Sequence, residues 1–268
     1  MQNLKEKYGK KALITGGSSG IGKAFAIELA KQGIEPILVA RNKEKLKEIE
    51  QEILSKYKVR VQTFSVDLSN EKETLDFIQE ISSSDIGLFI HSAGMEHNGS
   101  FTKISSENGM KLIKLNISST FLLTNHFAKQ MTEKKKGGIL LVSSMAGLMP
   151  SPYFSNYAAS KSYVHTLGLS LYFELKNKGV DIAVLAPGLT DTNMVADNGV
   201  DWSKVPMAIM APSKAAQISL ANLGKKATII PGFMNKMMVM MARRVFSMKS
   251  FSGINGSMTR KAISNDKL

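Results

Sequence analysis

Short apolar runs alternate with longer stretches of helical pattern along the whole chain. The apolar runs have the length of strands that are buried on both faces, and the stretches between them repeat apolar residues at helical spacing. This alternation predicts an α/β fold, a Rossmann-like doubly wound parallel sheet of about seven strands with helices on both faces. We predict strands at 11–15, 36–40, 59–66, 86–91, 138–143, 180–186 and 227–230. Helices are predicted at Lys23–Gln32, Lys43–Lys56 and Glu71–Ser82, and another from about Ser213.

The size of the chain is that of one compact catalytic unit. With 268 residues, 43% of them hydrophobic, the chain can bury a large core and lies near the upper size of a single domain. We therefore expect one domain over 1–230. It is followed by a basic, methionine-rich extension over 231–268.

Several classes of site and location are excluded by residues that the chain lacks. Cysteine is absent, which excludes disulfides, thiolate metal sites and a cysteine nucleophile, and is compatible with a reducing compartment. The four histidines do not have zinc-ligand spacing, so we expect no metal site. No signal-peptide core precedes the first strand, and no uncharged stretch is long enough to span a membrane. A cytoplasmic protein is the simplest expectation.

The net charge of +13 is concentrated near the end of the chain, where ten Lys or Arg and no Asp or Glu lie between Trp202 and Asn265. Apolar residues recur there at helical spacing: Phe233, Met234, Met237, Met238, Met241, Val245 and Met248. Such a stripe is more often core or subunit interface than a binding surface. The other faces carry Lys236, Arg243, Arg244 and Lys249, which also fits a surface helix on anionic lipid or a lip over an acyl tail. No nucleic-acid-reading motif accompanies these residues, so we expect no nucleic-acid partner.

A glycine-rich turn connects the first predicted strand to a helix. A strand, a glycine turn and a helix N-terminus in that order form an anion site, because unpaired backbone N–H groups and the helix dipole point at a phosphate. The spacing is Gly-x-x-x-Gly-x-Gly, so an ordinary tight turn is the alternative, but the position after the first strand favours nucleotide binding. The candidate cofactor-binding residues of this turn are Gly16, Ser18, Ser19, Gly20, Ile21 and Gly22.

Polar residues at the ends of the next two strands suit the adenosine half of a cofactor. Arg41 follows the second strand, where an NAD-specific protein usually has an acid for the ribose hydroxyls. Its guanidinium suits a 2′-phosphate, which predicts NADP(H) in preference to NAD(H); the alternative is a solvated arginine. Asp67, followed by Leu68, would accept a hydrogen bond from the adenine amine or cap the helix that begins near Glu71.

Tyr157 and Lys161 lie four residues apart at the head of a predicted helix, so both point toward one site. We expect the ammonium group of Lys161 to lower the pKa of Tyr157 toward physiological pH. A tyrosine with such a pKa can act as a general acid and base.

The chain resembles the single-domain branch of the short-chain dehydrogenase/reductase family. The resemblance covers roughly residues 11–192 and depends on the combination of TGGSSGIG, Asn116, Ser144 and YAASK. It implies a Rossmann-like fold, a bound NAD(P)(H) and no metal in the chemistry. It also implies that Ser144 holds the substrate oxygen and that Tyr157 exchanges the proton. Lys161 would also bind the nicotinamide ribose, and Asn116 would position a water that links Lys161 to solvent.

The resemblance adds cofactor contacts at the ends of the fourth and sixth predicted strands. The implied cofactor-binding residues are Ala93, Gly94, Asn116, Tyr157, Lys161, Pro187, Gly188, Leu189, Thr190 and Thr192. The sequence departs from the family at His91-Ser92, where the family usually has two asparagines. We interpret His91 as a structural residue without a catalytic role.

Residues 194–212 follow the cofactor segment, where such enzymes carry a mobile lid. The apolar residues of this segment predict a hydrophobic carbonyl or alcohol as substrate. They are Val195, Val200, Trp202, Val205, Met207, Ile209 and Met210.

The sequence therefore predicts an NADP(H)-dependent oxidoreductase that interconverts a carbonyl and an alcohol, with Tyr157 as general acid and base. A catalytically inactive NADP(H)-binding sensor or scaffold is the main alternative, and an epimerase or dehydratase of the same fold is another. We expect a homodimer or homotetramer. The extension is the part that would contact a membrane surface.

Overall fold

The computed structural model describes residues 3–196, 198–205, 207–264 and 267–268. The predicted lid and the ends of the chain include residues that lie outside this description: Met1, Gln2, Asp197, Pro206, Asn265 and Asp266.

Seven parallel strands form one sheet. They are β1 (Lys11–Thr15), β2 (Glu35–Ala40), β3 (Gln62–Ser65), β4 (Leu88–His91), β5 (Gly137–Val142), β6 (Val180–Leu185) and β7 (Thr228–Ile229). Their order across the sheet is β3-β2-β1-β4-β5-β6-β7, and every neighbouring pair is parallel. The predicted Rossmann-like doubly wound sheet is thereby confirmed.

Helices connect the strands and cover both faces of the sheet. They are α1 (Leu4–Tyr8), α2 (Gly20–Ala30), α3 (Lys43–Tyr57), α4 (Glu71–Ile81), α5 (Ser106–Ile113), α6 (Ser119–Lys134), α7 (Ser155–Leu175), α8 (Asn193–Ala196), α9 (Pro212–Asn222), α10 (Phe233–Met240) and α11 (Met248–Ala262). Turns with π-type hydrogen bonds follow α5 and α10, at Lys114–Ser118 and Met241–Val245. None of the described helices is both long and apolar enough to cross a membrane.

Some element boundaries differ from the predicted ones. β3 is shorter than the run 59–66, although Val59 and Val61 are buried. The chain leaves α3 through Lys58, which has a left-handed conformation with φ of 54°, and it pairs with β2 only from Gln62 onward. α2 begins three residues before the predicted start, so the last glycines of the turn lie in the first helical turn.

Two apolar layers hold the helices against the sheet, because successive strand residues point to opposite faces. On one face, Ile14 and Leu38 pack under α2, α3 and α9. On the other face, Leu13 and Phe89 pack under α4, α6 and α7. These layers fix the strands so that their carboxyl ends share one edge of the sheet.

The C-terminal helices lie over that edge, beside the turn 145–148. The buried residues of α10 and the turn after it are Asn235, Val239 and Ala242. Of the predicted stripe, only Met238 and Met241 are half-buried, and the other members are exposed. The interpretation of the stripe as core is therefore wrong for most of its residues.

Small or polar residues are needed on the buried face of α10 because the helix approaches the backbone closely. The Asn235 amide donates to the carbonyl of Pro231 at 2.7 Å. A Cβ on Gly188 would lie 2.7 Å from the same amide. Methionine or phenylalanine would not fit in that gap.

Candidate active site

A cavity of about 780 Å³ opens at the carboxyl ends of the strands, where the strand order reverses between β1 and β4. This is the position at which doubly wound sheets bind ligands. The cavity extends from the glycine turn, past the ends of β4, β5 and β6, to the predicted lid and the C-terminal helices. It therefore has a polar end beside α2 and an apolar end beside the lid.

The turn between β1 and α2 presents backbone donors to the cavity. Ser19 is the N-cap of α2, but its side chain makes no capping hydrogen bond, so the first N–H groups of the helix are left for a ligand. Gly16 has φ of +65°, and a Cβ there would lie 2.9 Å from the backbone nitrogen of Ala93. A Cβ on Gly22 would overlap the carbonyl of Gly16. The resulting backbone-lined surface suits a pyrophosphate.

Thr15 connects this turn to the end of β4. Its hydroxyl oxygen accepts from the N–H groups of Ser92 and Ala93, both at 3.0 Å, and lies 3.0 Å from Nδ1 of His91. Because the oxygen accepts from both amides, the hydroxyl proton is free to donate to Nδ1. Burial, together with the charge of Lys161, lowers the pKa of His91 to about 3, so the ring is neutral. This geometry supports the interpretation of His91 as structural.

Arg41 lies at the polar end of the cavity and is exposed. Within the described part of the chain its guanidinium forms no ion pair. Asn42 and Lys45 line the cavity beside it, and the sequence analysis missed both. Two cations at the end of β2 make this end suitable for an additional phosphate.

Asp67 lines the same end of the cavity and accepts from the backbone and hydroxyl of Ser69, at 2.9 and 2.7 Å. Burial raises its pKa, but the hydrogen bonds from Ser69 and the charge of Arg41 outweigh burial, so the pKa lies below the usual value. Asn70 caps α4, accepting from the N–H groups of Lys72 and Glu73. The structure thus does not support the alternative that Asp67 caps this helix.

Three predicted catalytic side chains meet at the middle of the cavity. Tyr157 and Lys161 come from α7, and Ser144 follows β5. Nζ of Lys161 lies 5.8 Å from the centroid of the Tyr157 ring and donates to the carbonyl of Val142 at 3.0 Å. The neighbouring Ser143 is directed elsewhere, because its hydroxyl donates to the carbonyl of Lys161 at 2.7 Å.

Burial controls the protonation of this cluster. It raises the pKa of the Tyr157 phenol above its ordinary value; the charge of Glu96 raises it further, and the Ser144 hydroxyl opposes both. Burial lowers the pKa of Lys161 to about 8, while the charge of Glu96 opposes that shift. The prediction that the pKa of Tyr157 is lowered toward physiological pH is therefore wrong for the chain by itself, because burial of the phenol raises that pKa.

Asn116 lies behind the cluster and not on the cavity wall, with 1% of its surface exposed. The π-type turn after α5 contains it, and such turns are frequent at functional sites. Its amide group donates to the Met95 carbonyl and the Ser160 hydroxyl at 2.8 and 2.9 Å, and its oxygen accepts from the Met95 N–H at 2.9 Å. Asn116 thereby fixes the loop after β4 against α7. Its role in positioning a water stays a prediction.

The segment after β6 closes the cofactor side of the cavity. Thr192 lies against the glycine turn, since a Cβ on Gly20 would be 2.9 Å from its methyl group. The carbonyl of Pro187 accepts from the N–H of Met145 at 2.9 Å, which joins this segment to the turn that carries Ser144.

Glu96 is a cavity residue that the sequence analysis missed. Its carboxylate accepts from the Asn198 amide at 2.6 Å, and the Asn198 carbonyl accepts from Asn98 and Lys267 at 2.9 and 2.7 Å. This cluster ties the lid to the loop after β4. Burial raises the pKa of Glu96, and contacts with Asn198, Lys161 and Lys267 oppose the shift. No motif marks the position, so the sequence offered no signal for it.

All but one of the predicted site residues line this single cavity, the exception being Asn116. Those that do are Gly16, Ser18, Ser19, Gly20, Ile21, Gly22, Arg41, Asp67, Leu68, Ala93, Gly94, Ser144, Tyr157, Lys161, Pro187, Gly188, Leu189, Thr190 and Thr192.

The apolar end of the cavity is formed by the lid, by the segment 145–154 and by the C-terminal helices. From the lid it receives Val195, Val200, Trp202, Val205 and Met207. The other apolar walls are Met145, Met149, Phe154, Met238 and Phe251. Two predicted lid residues do not contribute: Ile209 is exposed, and Met210 pairs through its backbone with Leu189.

Residues 10–201 match the family described as short chain dehydrogenase. The match covers well over half of the chain, and it includes β1 to β6, the glycine turn and the cluster around Tyr157. The chain belongs to the short-chain dehydrogenase family, a family of oxidoreductases that bind a nicotinamide cofactor.

Relatives within the family place the chain near steroid-related proteins. It is 30% identical over 234 residues to the 7beta-hydroxysteroid dehydrogenase of Clostridium sardiniense, which covers 87% of this chain and 90% of that protein. It is 30% identical over 225 residues to inactive hydroxysteroid dehydrogenase-like protein 1 of Homo sapiens, in an alignment that covers 83% of this chain and 68% of that protein. The chain is also similar to a solved structure, a short-chain dehydrogenase from Sphingobium yanoikuyae in complex with NADPH. The TM-score is 0.79 at 25% identity, and the alignment covers 95% of this chain and 96% of that one.

Proposed function

We propose that the chain is an NADP(H)-dependent oxidoreductase that interconverts a carbonyl and an alcohol on a hydrophobic substrate. The observation that carries the proposal is the position of Tyr157, between a polar, backbone-lined end of the cavity and an apolar end. Ser144 and Lys161 flank it on the same wall.

Different residues of the cavity serve in binding and in proton transfer. The nicotinamide cofactor, when bound, supplies or accepts the hydride. The Tyr157 hydroxyl donates its proton to the substrate oxygen during reduction and takes it back during oxidation, and the Ser144 hydroxyl holds the same oxygen. The raised pKa of Tyr157 keeps the phenol protonated at neutral pH, which suits the reductive direction. Lys161, which neighbours Tyr157, would hold the nicotinamide ribose.

The preference for NADP(H) is supported by the cations at the end of β2. Arg41 and Lys45 face the polar end of the cavity, and no acid occupies the position after β2. A guanidinium forms bidentate, charge-assisted hydrogen bonds with phosphate oxygens. The similar Sphingobium yanoikuyae structure holds NADPH, which agrees with this preference.

The substrate class is supported by the walls of the apolar end. Aromatic and aliphatic side chains, such as Phe154, Trp202 and Phe251, surround the face of the cavity opposite the glycine turn. A bulky apolar carbonyl would bury its surface there while its oxygen reaches Tyr157. The steroid dehydrogenase among the relatives agrees with a large apolar substrate.

The second candidate is a catalytically inactive NADP(H)-binding sensor or scaffold. The name of the human relative favours it, because that protein is described as inactive. The complete set of Asn116, Ser144, Tyr157 and Lys161 in this chain favours an enzyme instead.

The two candidates are separated by following NADPH absorbance with a panel of apolar ketones, aldehydes and 3-oxoacyl thioesters. Turnover of any of them supports the enzyme, and NADPH binding without turnover of any supports the sensor. The reverse reaction, with the matching alcohols and NADP, is measured alongside.

We also propose that the enzyme is a homodimer or homotetramer. Phe121 on α6 and Phe173 on α7 are 50% and 69% exposed, and an apolar surface of that kind is commonly covered by a second subunit. Light scattering on the purified protein tests this, and a monomer at micromolar concentration would contradict it.

A further inference from the structure

A row of large apolar side chains projects from the C-terminal helices. We define the C-terminal ridge as Phe233, Met234, Met237, Met240, Val245, Phe246 and Met248. Phe233 and Met234 are 74% and 65% exposed, and every other member is also exposed. Isolated exposed apolar residues are ordinary, but seven of them within the residues 233–248 mark an interaction surface.

The ridge does not result from a loosely attached helix. On its opposite side, α10 buries Asn235 and Val239, and the turn after it buries Ala242. Val239 and Ala242 belong to the apolar cluster that contains Met145, Met149 and Ala186. The fold therefore holds the apolar side chains outward on a fixed support.

Basic residues alternate with the apolar ones along the same elements. Lys236, Arg243, Arg244 and Lys249 are exposed and form no ion pair with any residue that the structure describes. No acid occurs between Trp202 and Asn265 that could neutralise them. The ridge thus combines apolar area with unopposed positive charge.

The ridge and the apolar end of the cavity belong to the same helices. Met238 and Phe251 line the cavity, while Met237, directly before Met238, and Met248, three residues before Phe251, are exposed. Asn255 and Thr259, further along α11, also line the cavity. A surface that receives the ridge would therefore lie next to the helices that line the apolar end of the cavity.

We propose that the C-terminal ridge docks on an anionic lipid surface, with the apolar side chains inserted among the acyl chains and the basic ones against the headgroups. The rest of the chain stays in the aqueous phase. Apolar insertion and charge attraction act together in such peripheral binding. That this docking delivers an apolar substrate to the cavity rests on the proposed function.

A second copy of the chain fits the ridge less well than lipid does. A two-fold interface places the same patch on both subunits, so Arg243, Arg244 and their basic neighbours would face one another without acids between them. Like charges brought together in this way oppose association. An anionic surface instead complements every charge on the ridge.

Vesicle co-sedimentation of the full chain tests the proposal. The probes are vesicles of phosphatidylcholine alone and of phosphatidylcholine with about one-third phosphatidylserine. We expect binding to the anionic vesicles at low salt, weaker binding as salt rises, and little binding to the neutral ones. Arg243→Gln with Arg244→Gln should weaken binding to anionic vesicles about thirty-fold. Phe233→Ser with Met234→Ser should weaken it as well.

The matched control is Lys225→Gln with Lys226→Gln, which removes the same charge from an exposed site outside the ridge. It should leave binding nearly unchanged. Equal weakening by both charge pairs, or equal binding to neutral and anionic vesicles, would overturn the proposal. Self-association that only the ridge variants abolish would assign the ridge to a second copy and would also overturn it.

Activity without vesicles keeps the two proposals apart. NADPH turnover is measured on a water-soluble ketone with the wild type and the ridge variants. Turnover without vesicle binding contradicts only the docking, and vesicle binding without turnover on any substrate contradicts only the proposed function.

Discussion

The cofactor half and the substrate half of the cavity are built from different parts of the chain. The cofactor half is lined by backbone at the ends of β1, β4 and β6, held at close approach by Gly16 and Gly22, and by polar side chains such as Arg41 and Asp67. The substrate half consists of side chains from the lid, from the segment 145–154 and from α10 and α11. The lid is tied down by contacts between residues about one hundred positions apart, such as Glu96 with Asn198.

The difference shows where specificity can change without loss of the fold. In the cofactor half, a Cβ added at Gly16 or Gly22 meets backbone within 3 Å. In the substrate half, one apolar side chain can replace another with little effect on the sheet. We therefore expect variants in the first half to affect cofactor binding and stability, and variants in the second half to affect the choice of substrate.

The largest expected effect is the loss of proton transfer at Tyr157, which lies at the boundary of the two halves, with cofactor binding retained. Tyr157→Phe should lower kcat by about 100-fold to 10,000-fold, because proton transfer to the substrate oxygen is lost. NADPH affinity, measured by fluorescence titration, should stay near that of the wild type. Turnover at the wild-type rate would remove Tyr157 from the mechanism.

The next effect concerns the polar end of the cofactor half. Arg41→Ala should lower the preference for NADPH over NADH by roughly ten-fold to a hundred-fold, because a charge-assisted contact to the 2′-phosphate is lost. Calorimetric titration with both cofactors measures it. NADH affinity serves as the internal control and should hardly change. An unchanged preference would show that Arg41 is only a solvated side chain.

Two glycines test the contrast in backbone packing. Gly22→Ala places a Cβ against the carbonyl of Gly16, so we expect it to lower the free energy of unfolding by about 1–3 kcal/mol. Gly253→Ala in α11 meets nothing within 4 Å and should raise it by about 0.5–1 kcal/mol. Denaturant unfolding of both variants gives the comparison. Equal destabilisation of the two would contradict the contrast.

The smallest expected effect comes from the loop that joins the halves. The charge of Glu96 raises the pKa of Tyr157, so Glu96→Gln should lower it. Alcohol oxidation needs the ionised phenol, so its rate rises with pH. In Glu96→Gln this rise in rate should occur at lower pH than in the wild type. We expect oxidation at neutral pH to gain a few-fold, as read from the pH profile of kcat.

Asn198→Ala is the control for that measurement. It removes the hydrogen bond that ties the lid to Glu96 but keeps the carboxylate. A pH profile that moves equally in both variants would assign the effect to the lid and not to the charge.

The sequence predicted the cofactor half better than the substrate half for a physical reason. The glycine turn and the pair Tyr157 and Lys161 are local patterns, and the fold places them at one edge once the sheet is known. Glu96 acts through Asn198 and Lys267, partners that no local pattern connects to it. The same limitation explains the error in α10.

The sequence of α10 shows the spacing of its apolar residues, but it does not show which face of the helix is buried. The helix packs through Asn235 and Val239 because Gly188 lies directly beneath it, so small and polar residues are buried and large ones are exposed. A helix of two turns carries too few residues for periodicity to decide between its faces.

The composition of the C-terminal ridge also has a consequence for oxidative chemistry. The chain contains no cysteine, so oxidants that reach its surface meet thioether sulfur first. Four of the six exposed methionines in the described chain, Met234, Met237, Met240 and Met248, lie on the ridge, and the other two are Met110 and Met194. Peroxide would convert them to sulfoxides, which are polar, and methionine sulfoxide reductases reverse that change. Oxidation would then make the ridge more polar, and the protein would detach from lipid under oxidative stress.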